Sequence, residues 1–241
     1  MGYRTNEYGQ PVGEPVPGWT PRPFPTRVTL QGRYCRLEPI DDRHAASLFA
    51  AYQLAADSRD WTYIPLERPE SLDDFRAYVA SLQASADPQH YAIVDPATNH
   101  ALGTFALMRI APAAGSVEVG FVVYSPVLQK STAATEAQFL LMQYVFDTLG
   151  YRRYEWKCDS LNAPSRTAAL RLGFQFEGIF RQAVVYKGRN RDTAWFSIID
   201  SEWAMLSRAY RQWLSPDNID TSGRQRQRLQ AFMPERSLAA G

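Results

Sequence analysis

From residue 34 onward the chain alternates between two hydrophobic periods, and each switch marks an element. YCRLEPI sets Cys35, Leu37 and Pro39 against Tyr34, Arg36 and Glu38, a period of two that predicts a strand. Asp41 and Asp42 then open a helix through Ala45, Leu48, Phe49 and Tyr52, and Ser71 with Asp74 caps a second through Phe75, Tyr78, Val79 and Leu82. HYAIVD, ALGTFALMRI and SVEVGFVVY read as three strands joined by the short turns DPATNH and APAAG, hence as antiparallel neighbours. After Pro126 the period becomes helical, with Ala133, Ala137, Leu140, Leu141, Tyr144 and Val145 on one face until Gly150 stops it.

Arg153 to Asp159 returns to period two, with Tyr154, Trp156 and Cys158 on one side. Asn162 caps a helix with Pro164 in its first turn and Gly173 at its end. FQFEGIFRQAVVY and DTAWFSII form a last strand pair around KGRN, and a helix starts at Ser201. The order β-α-α-β-β-β-α-β-α-β-β predicts a mixed α/β fold. Its sheet is mostly antiparallel, with one β-α-β crossover making strands 116–124 and 153–159 parallel.

Residues 1–26 are rich in proline and glycine without an apolar period and predict an extended arm. Trp19 and Phe24 would pin it to a surface, a neighbouring subunit included, which makes a homodimer an expectation; a disordered tail fits the composition equally. The organisation expected is an arm over 1–26, one domain over 27–205 and a helical tail over 206–241, whose basic run RQRQR reads as a solvated helix face.

Among 241 residues, 26 basic and 25 acidic side chains leave a net charge of +1, no footprint for nucleic acid or an anionic membrane. Two cysteines, Cys35 and Cys158, make no disulfide framework, and His44, His90 and His100 are too scattered for a metal site. With no signal segment and no apolar stretch of spanning length, a cytoplasmic protein is the expectation.

Chemistry concentrates in residues 116–178. Gly120 inside a strand marks a bulge or a close backbone approach, which would splay the strand from its parallel neighbour and free the backbone of Val122 and Val123. A turn and a helix N-terminus follow, the arrangement that holds phosphates. The linked pattern VEVGF, VxxPxxQxxxxATEA, N-x-P-S and RLGFxFEG resembles the GNAT superfamily of N-acetyltransferases, and within it the RimJ/RimL-like branch, over residues 28–205.

The resemblance implies acetyl-CoA as acyl donor, no metal, and an amine acceptor: a peptide N-terminus or a small molecule. It assigns the pantetheine arm to the backbone of Val122, Val123 and Tyr124, and the pyrophosphate to Gln129, Lys130, Ser131, Thr132, Ala133, Ala134 and Thr135. Asn162 would bond the arm from the other side, and Ser165 would lie near the thioester sulfur. The family loop carries two glycines where Lys130 and Thr132 stand here, and a tyrosine acid where Ala169 stands. These departures also fit a non-catalytic acyl-CoA-binding module on the same fold.

Direct transfer needs a base, an oxyanion donor and an acid for the departing thiolate. Glu118, expected on the same strand face as Gly120 and Val122, is the candidate base, an amide near Val122 the oxyanion donor, and Ser165 the acid. Glu118 as a solvated strand residue and Ser165 as a plain helix cap are the alternatives. Cys158 reads as a buried structural thiol and Glu136 as a complement to its helix dipole. Trp61 and Tyr63 would wall the acceptor pocket or belong to the core.

Overall fold

The computed structural model describes residues 4–233. Eight strands form one sheet: β1 (Leu30–Gln31), β2 (Arg36–Pro39), β3 (Gln89–Val94), β4 (Ala101–Ala111), β5 (Ser116–Tyr124), β6 (Arg153–Asp159), β7 (Gln175–Tyr186) and β8 (Arg189–Ile199). Their order across the sheet is β1-β2-β3-β4-β5-β6-β8-β7, and only β5 and β6 run parallel. Five helices complete the domain: α1 (Ala45–Gln53), α2 (Leu72–Ala84), α3 (Thr132–Gln143), α4 (Ala163–Arg171) and α5 (Asp200–Trp213). The predicted order is borne out, and β1 is an addition that two residues were too short to announce.

The helices divide between the two faces. Ile40, Leu48, Tyr52, Trp61, Phe75 and Val79 pack α1 and α2 over β2, β3 and β4, joined by Val123. On the opposite face Phe139, Ala169, Leu206 and Tyr210 bring α3, α4 and α5 onto Tyr154, Trp156, Phe196 and Ile198. Each large apolar side chain buried this way contributes about 1.5–3 kcal/mol. α1 and α2 stop short of β6, β7 and β8, so that half of their face keeps its charged and aromatic side chains.

From Trp19 on the N-terminal arm is docked on its own domain, while residues 4–18 stay mostly exposed and Phe24, expected to pin the arm, is exposed as well. Trp19 donates its indole N–H to Ala113 O at 2.9 Å, with the Arg22 guanidinium 4.4 Å over its ring. Tyr144 and Tyr151 donate hydroxyls to the carbonyls of Thr26 and Pro23. Glu136 does not complement the helix dipole as expected, since α3 has no acidic residue in its first turn. Its buried carboxylate accepts from the amides of Arg33, Tyr34 and Cys35, fixing the β1–β2 turn to α3.

The tail departs from expectation. α5 runs to Trp213 inside the core, past the boundary expected at 205, and among the described residues no long helix follows. Instead Asn218 organises an extended hairpin: its Oδ1 accepts from Gln227 N, its carbonyl from Arg226 N, and Ile219 pairs with Gln225. RQRQR is therefore not a helix face. Pro216 cannot continue α5, and Asn218 offers the backbone better partners than a helix would.

Candidate active site

β5 and β6 pair from Ser116–Arg153 to Val119–Trp156 and then part. The parting coincides with a bulge: Thr104 and Ala106 of β4 oppose Val123 and Gly120, so Phe121 and Val122 share one position opposite Phe105. Phe121 carries the extra residue's dihedral, with φ +49°. Gly120 allows a close approach instead, since a Cβ there would meet Met108 Sδ unless that side chain moved. The bulge thus falls one residue beyond the predicted glycine.

It also resets the alternation. Glu118 faces the α1/α2 side, where Val123 packs, whereas Val122 packs on the α3 side. Glu118 and Val122 therefore do not share a face as expected. Ser125 N donates to Leu102 O on β4, so the backbone of Val123, two residues earlier, points the same way. The Val123 carbonyl also accepts from the Tyr52 hydroxyl at 3.1 Å. The amides turned toward the split are those of Val122 and Tyr124.

At the wide end of the split the chain makes the predicted turn. Lys130 stands at φ +57°, the left-handed conformation that glycine adopts without penalty. Ser131 caps α3, its Oγ accepting from Ala134 N at 3.0 Å, and Thr135 is buried with Arg171 on its hydroxyl. Ala134 and Thr135 are thereby turned inward. Thr132 and Ala133 hold the first turn, where helix amides lack helical partners. Gln129 Nε2 reaches back to Tyr124 O and to Asp60, tying the turn to β5 and to the α1–α2 connection.

On the opposite bank Asn162 caps α4, its Oδ1 accepting from Ser165 N at 3.1 Å. Ser165 Oγ accepts the Trp156 indole N–H at 3.0 Å and lies against Cys158. Because Trp156 fills one lone pair, the Ser165 hydroxyl hydrogen is left to donate. Burial pushes the Cys158 thiol up, so it stays protonated and is a poor nucleophile.

Glu118 is not a solvated strand residue. Its carboxylate is 2.6 Å from Arg109 Nη1 and 2.9 Å from Lys157 Nζ, which also lies 2.7 Å from Glu155 and 3.7 Å above the Trp195 ring. Beside this group sit Asp159, accepting the Tyr186 hydroxyl at 2.8 Å, and Thr193 across from it on β8. Thr193 Oγ1 and Trp195 Nε1 are buried without a partner among the described residues. Burial, then Asp159, push the Tyr186 phenol up to about 12.

Trp61 belongs to the core: its ring packs edge-on against Tyr52 and Tyr78 and is almost wholly buried. Its carbonyl, however, receives Lys187 Nζ at 2.9 Å, and Thr62 O receives Arg189, which joins the α1–α2 connection to the β7–β8 turn. Tyr63 spans the split, its hydroxyl on Leu161 O. Sequence reasoning missed Lys157, Asp159, Tyr186, Thr193 and Trp195. The polar alternation of Glu155, Lys157 and Asp159 was legible, but not that no helix covers it. Among the described residues no group of three His, Cys, Asp or Glu could hold a metal, and no helix is long and apolar enough to cross a membrane.

A mostly antiparallel sheet with one parting parallel pair, followed by a turn into a helix, is the fold of an acyl-transferring enzyme. Residues 35–175 match the Acetyltransferase (GNAT) domain family, and the chain belongs to that family and is an acetyltransferase. A crystal structure of a GCN5-related N-acetyltransferase from Brucella melitensis is 50% identical, with a TM-score of 0.88, covering 90% of this chain and 99% of that one. YoaA of Bacillus subtilis, an uncharacterized N-acetyltransferase, is 26% identical over 166 residues, 68% of this chain and 92% of that protein. Mycobacterium smegmatis RimJ, solved in complex with CoA-disulfide, shares the fold at 18% identity and a TM-score of 0.62, covering 73% of this chain and 89% of that one.

Proposed function

We infer that the protein transfers an acetyl group from acetyl-CoA, lying in the split between β5 and β6, to a primary amine presented on the uncovered face of the sheet. The observation that carries this reading is the end of parallel pairing at Val119–Trp156 together with the bulge at Phe121. The gap leaves the edges of Val122 and Tyr124 for an amide-bearing arm. It leads outward to Lys130, Ser131, Thr132 and Ala133, which receive the pyrophosphate. The left-handed Lys130 supplies the backbone shape that glycine supplies in relatives, so the turn keeps its use. The RimJ/RimL-like branch is proposed on the quoted sequence pattern.

The amine nitrogen attacks the thioester carbonyl carbon, and the new C–N bond is completed as the C–S bond breaks. The Val122 amide faces the developing oxyanion. Glu118, ion-paired with Arg109 and Lys157, takes the ammonium proton through water. Ser165 gives its proton to the departing sulfur and recovers one from solvent. The unpartnered donors Thr193 Oγ1 and Trp195 Nε1 favour an acceptor whose amine neighbours a carbonyl or carboxylate, because each buried donor gains a partner on binding.

Titration calorimetry with acetyl-CoA tests the donor, and a thiol-release assay across amines and short peptides tests transfer. Uptake of the donor, with thiol appearing in step with amine acetylation, is the expected result. Well-folded protein that takes up no acetyl-CoA overturns the assignment.

A further inference from the structure

β8 carries a row of buried donors that the protein leaves unsatisfied. Arg191, Thr193 and Trp195 are alternate residues of this strand, so their side chains leave the same face of the sheet. Arg191 Nε, Thr193 Oγ1 and Trp195 Nε1 lack a hydrogen-bond partner among the described residues, and Thr193 is only 5% exposed. Native proteins leave few such groups, so a run of them on one strand marks a place where the partner comes from outside. Asp159 does not serve them. It stands across from Thr193, but its two oxygens accept the Tyr186 hydroxyl and the Leu161 amide. Arg191, 5.9 Å over the same Tyr186 ring, forms no ion pair among the described residues.

The row is level with the parting of the strands. Thr193 and Trp195 pair with Asp159 and Lys157, which lie beyond the last β5–β6 rung at Val119–Trp156. Lys157 Nζ is 2.9 Å from Glu118 and 3.7 Å from the centre of the Trp195 ring, so the width of one ammonium separates the candidate base from the indole. Phe180, opposite Thr193 on the edge strand β7, packs on Trp195 with ring centres 4.4 Å apart and is itself exposed. Turning that ring aside uncovers the row, and an open cleft of about 720 Å³ beside Phe180 gives it room. The chemistry of the row is one-sided. The indole N–H and the Arg191 Nε–H can only donate, and the Thr193 hydroxyl is free to do so. A carboxylate brings about four lone pairs and a charge opposite to the guanidinium, whereas an amide carbonyl brings half as many and no charge.

We propose that Arg191, Thr193 and Trp195 bind a carboxylate of the acceptor, so that the enzyme acetylates free amino acids in preference to peptide N-termini and simple amines. The carboxylate docks on β8 behind a displaced Phe180, and the amine, a few bonds away, turns toward Glu118 and the split. This rests on the transfer reading given above and narrows its acceptor to one class.

Thiol release from acetyl-CoA tests it on matched acceptors: the common amino acids, their carboxamides, dipeptides that begin with the same residue, and the decarboxylated amines. At least one amino acid is expected to exceed its counterparts in kcat/KM by about a hundredfold or more, because a site built for hydrogen bonds rejects ligands that leave them unmade. R191Q and T193V should each raise the KM of that amino acid about tenfold or more with little change in kcat, and shrink its lead over the decarboxylated amine. T193V should also melt at or above the wild-type temperature, since a methyl replaces a buried hydroxyl that has no partner, which separates a binding role from a structural one. Peptides or decarboxylated amines used as well as amino acids, no turnover of any amino acid, or a preference that survives both substitutions overturns the proposal while calorimetry still shows acetyl-CoA bound. No uptake of acetyl-CoA overturns the donor reading, and this inference with it.

Discussion

Lys157 Nζ lies 2.9 Å from Glu118 Oε2, and both side chains are about 95% removed from water. The contact is made across the last paired rungs of β5 and β6, immediately below the point where the strands part. It places a buried ion pair at the floor of the split. Arg109 and Glu155 extend it on either side.

Replacing Glu118 with Gln keeps the shape and a hydrogen-bond acceptor but removes the carboxylate. With Glu118 as the base acting through water, kcat should fall about 10²–10⁴-fold. Thiol-release kinetics measure this, and unchanged turnover would remove Glu118 from the mechanism. By contrast Lys157→Met removes the cation that Glu118 and Glu155 share, leaving Arg109 on the first and Arg153 on the second, and should lower stability without unfolding the domain, read by denaturant unfolding.

Ser165→Ala removes the hydroxyl that receives Trp156 and faces Cys158. Asn162 still caps α4, so the helix should survive. The expected result is a kcat loss of about 10²-fold with little change in KM, since the proton is needed only as the sulfur departs. A lower melting temperature with normal kcat would reduce Ser165 to a packing role.

Lys130→Gly relieves a left-handed residue whose strain is on the order of 1 kcal/mol, offset by a similar entropy gain of the unfolded chain. Stability should therefore change little. Affinity for acetyl-CoA should drop about tenfold if the ammonium meets the pyrophosphate, which calorimetry at low salt resolves.

His90 sets a pH dependence. Burial, with Arg27 adding to it, lowers its imidazole to about 4, against an ordinary value of about 6.5. The folded protein thus keeps His90 neutral where the unfolded chain takes up a proton. Stability is full above pH 6.5 and declines as pH falls from about 6.5 to 4, by up to roughly 3 kcal/mol. Urea unfolding at pH 7.5 and pH 5 should show this difference, and His90→Gln should flatten it. An unchanged slope in the variant would assign the acid lability to other groups, such as Glu177, which Arg153 holds below the usual carboxylate range.

The order of elements was legible because each buried face imposes its period on the chain. Ser71 and Asn162 announced their helices through chemistry that acts within three residues, whereas Ser131, expected only as a phosphate-loop residue, also caps α3. Gly120 pointed to an irregular strand, yet the displaced residue is Phe121, because bulge position is set by how β4 and β5 register and by Met108 packing on the glycine. Trp61 gave no sign of which side of the α1–α2 connection it would take. The apolar cluster with Tyr52 and Tyr78 claimed it, leaving Tyr63 at the split.

Sequence by itself determined the alternation of strands and helices, the turn between β5 and α3 and the residues that cap it, since these depend on neighbours a few positions apart. Tertiary structure alone decided that Lys157 faces Glu118 rather than solvent, that Thr193 and Trp195 are left as unpartnered donors, and that Gln225 returns to Thr132. Each joins segments distant in the chain, and which face a helix leaves uncovered depends on the packing of the whole domain.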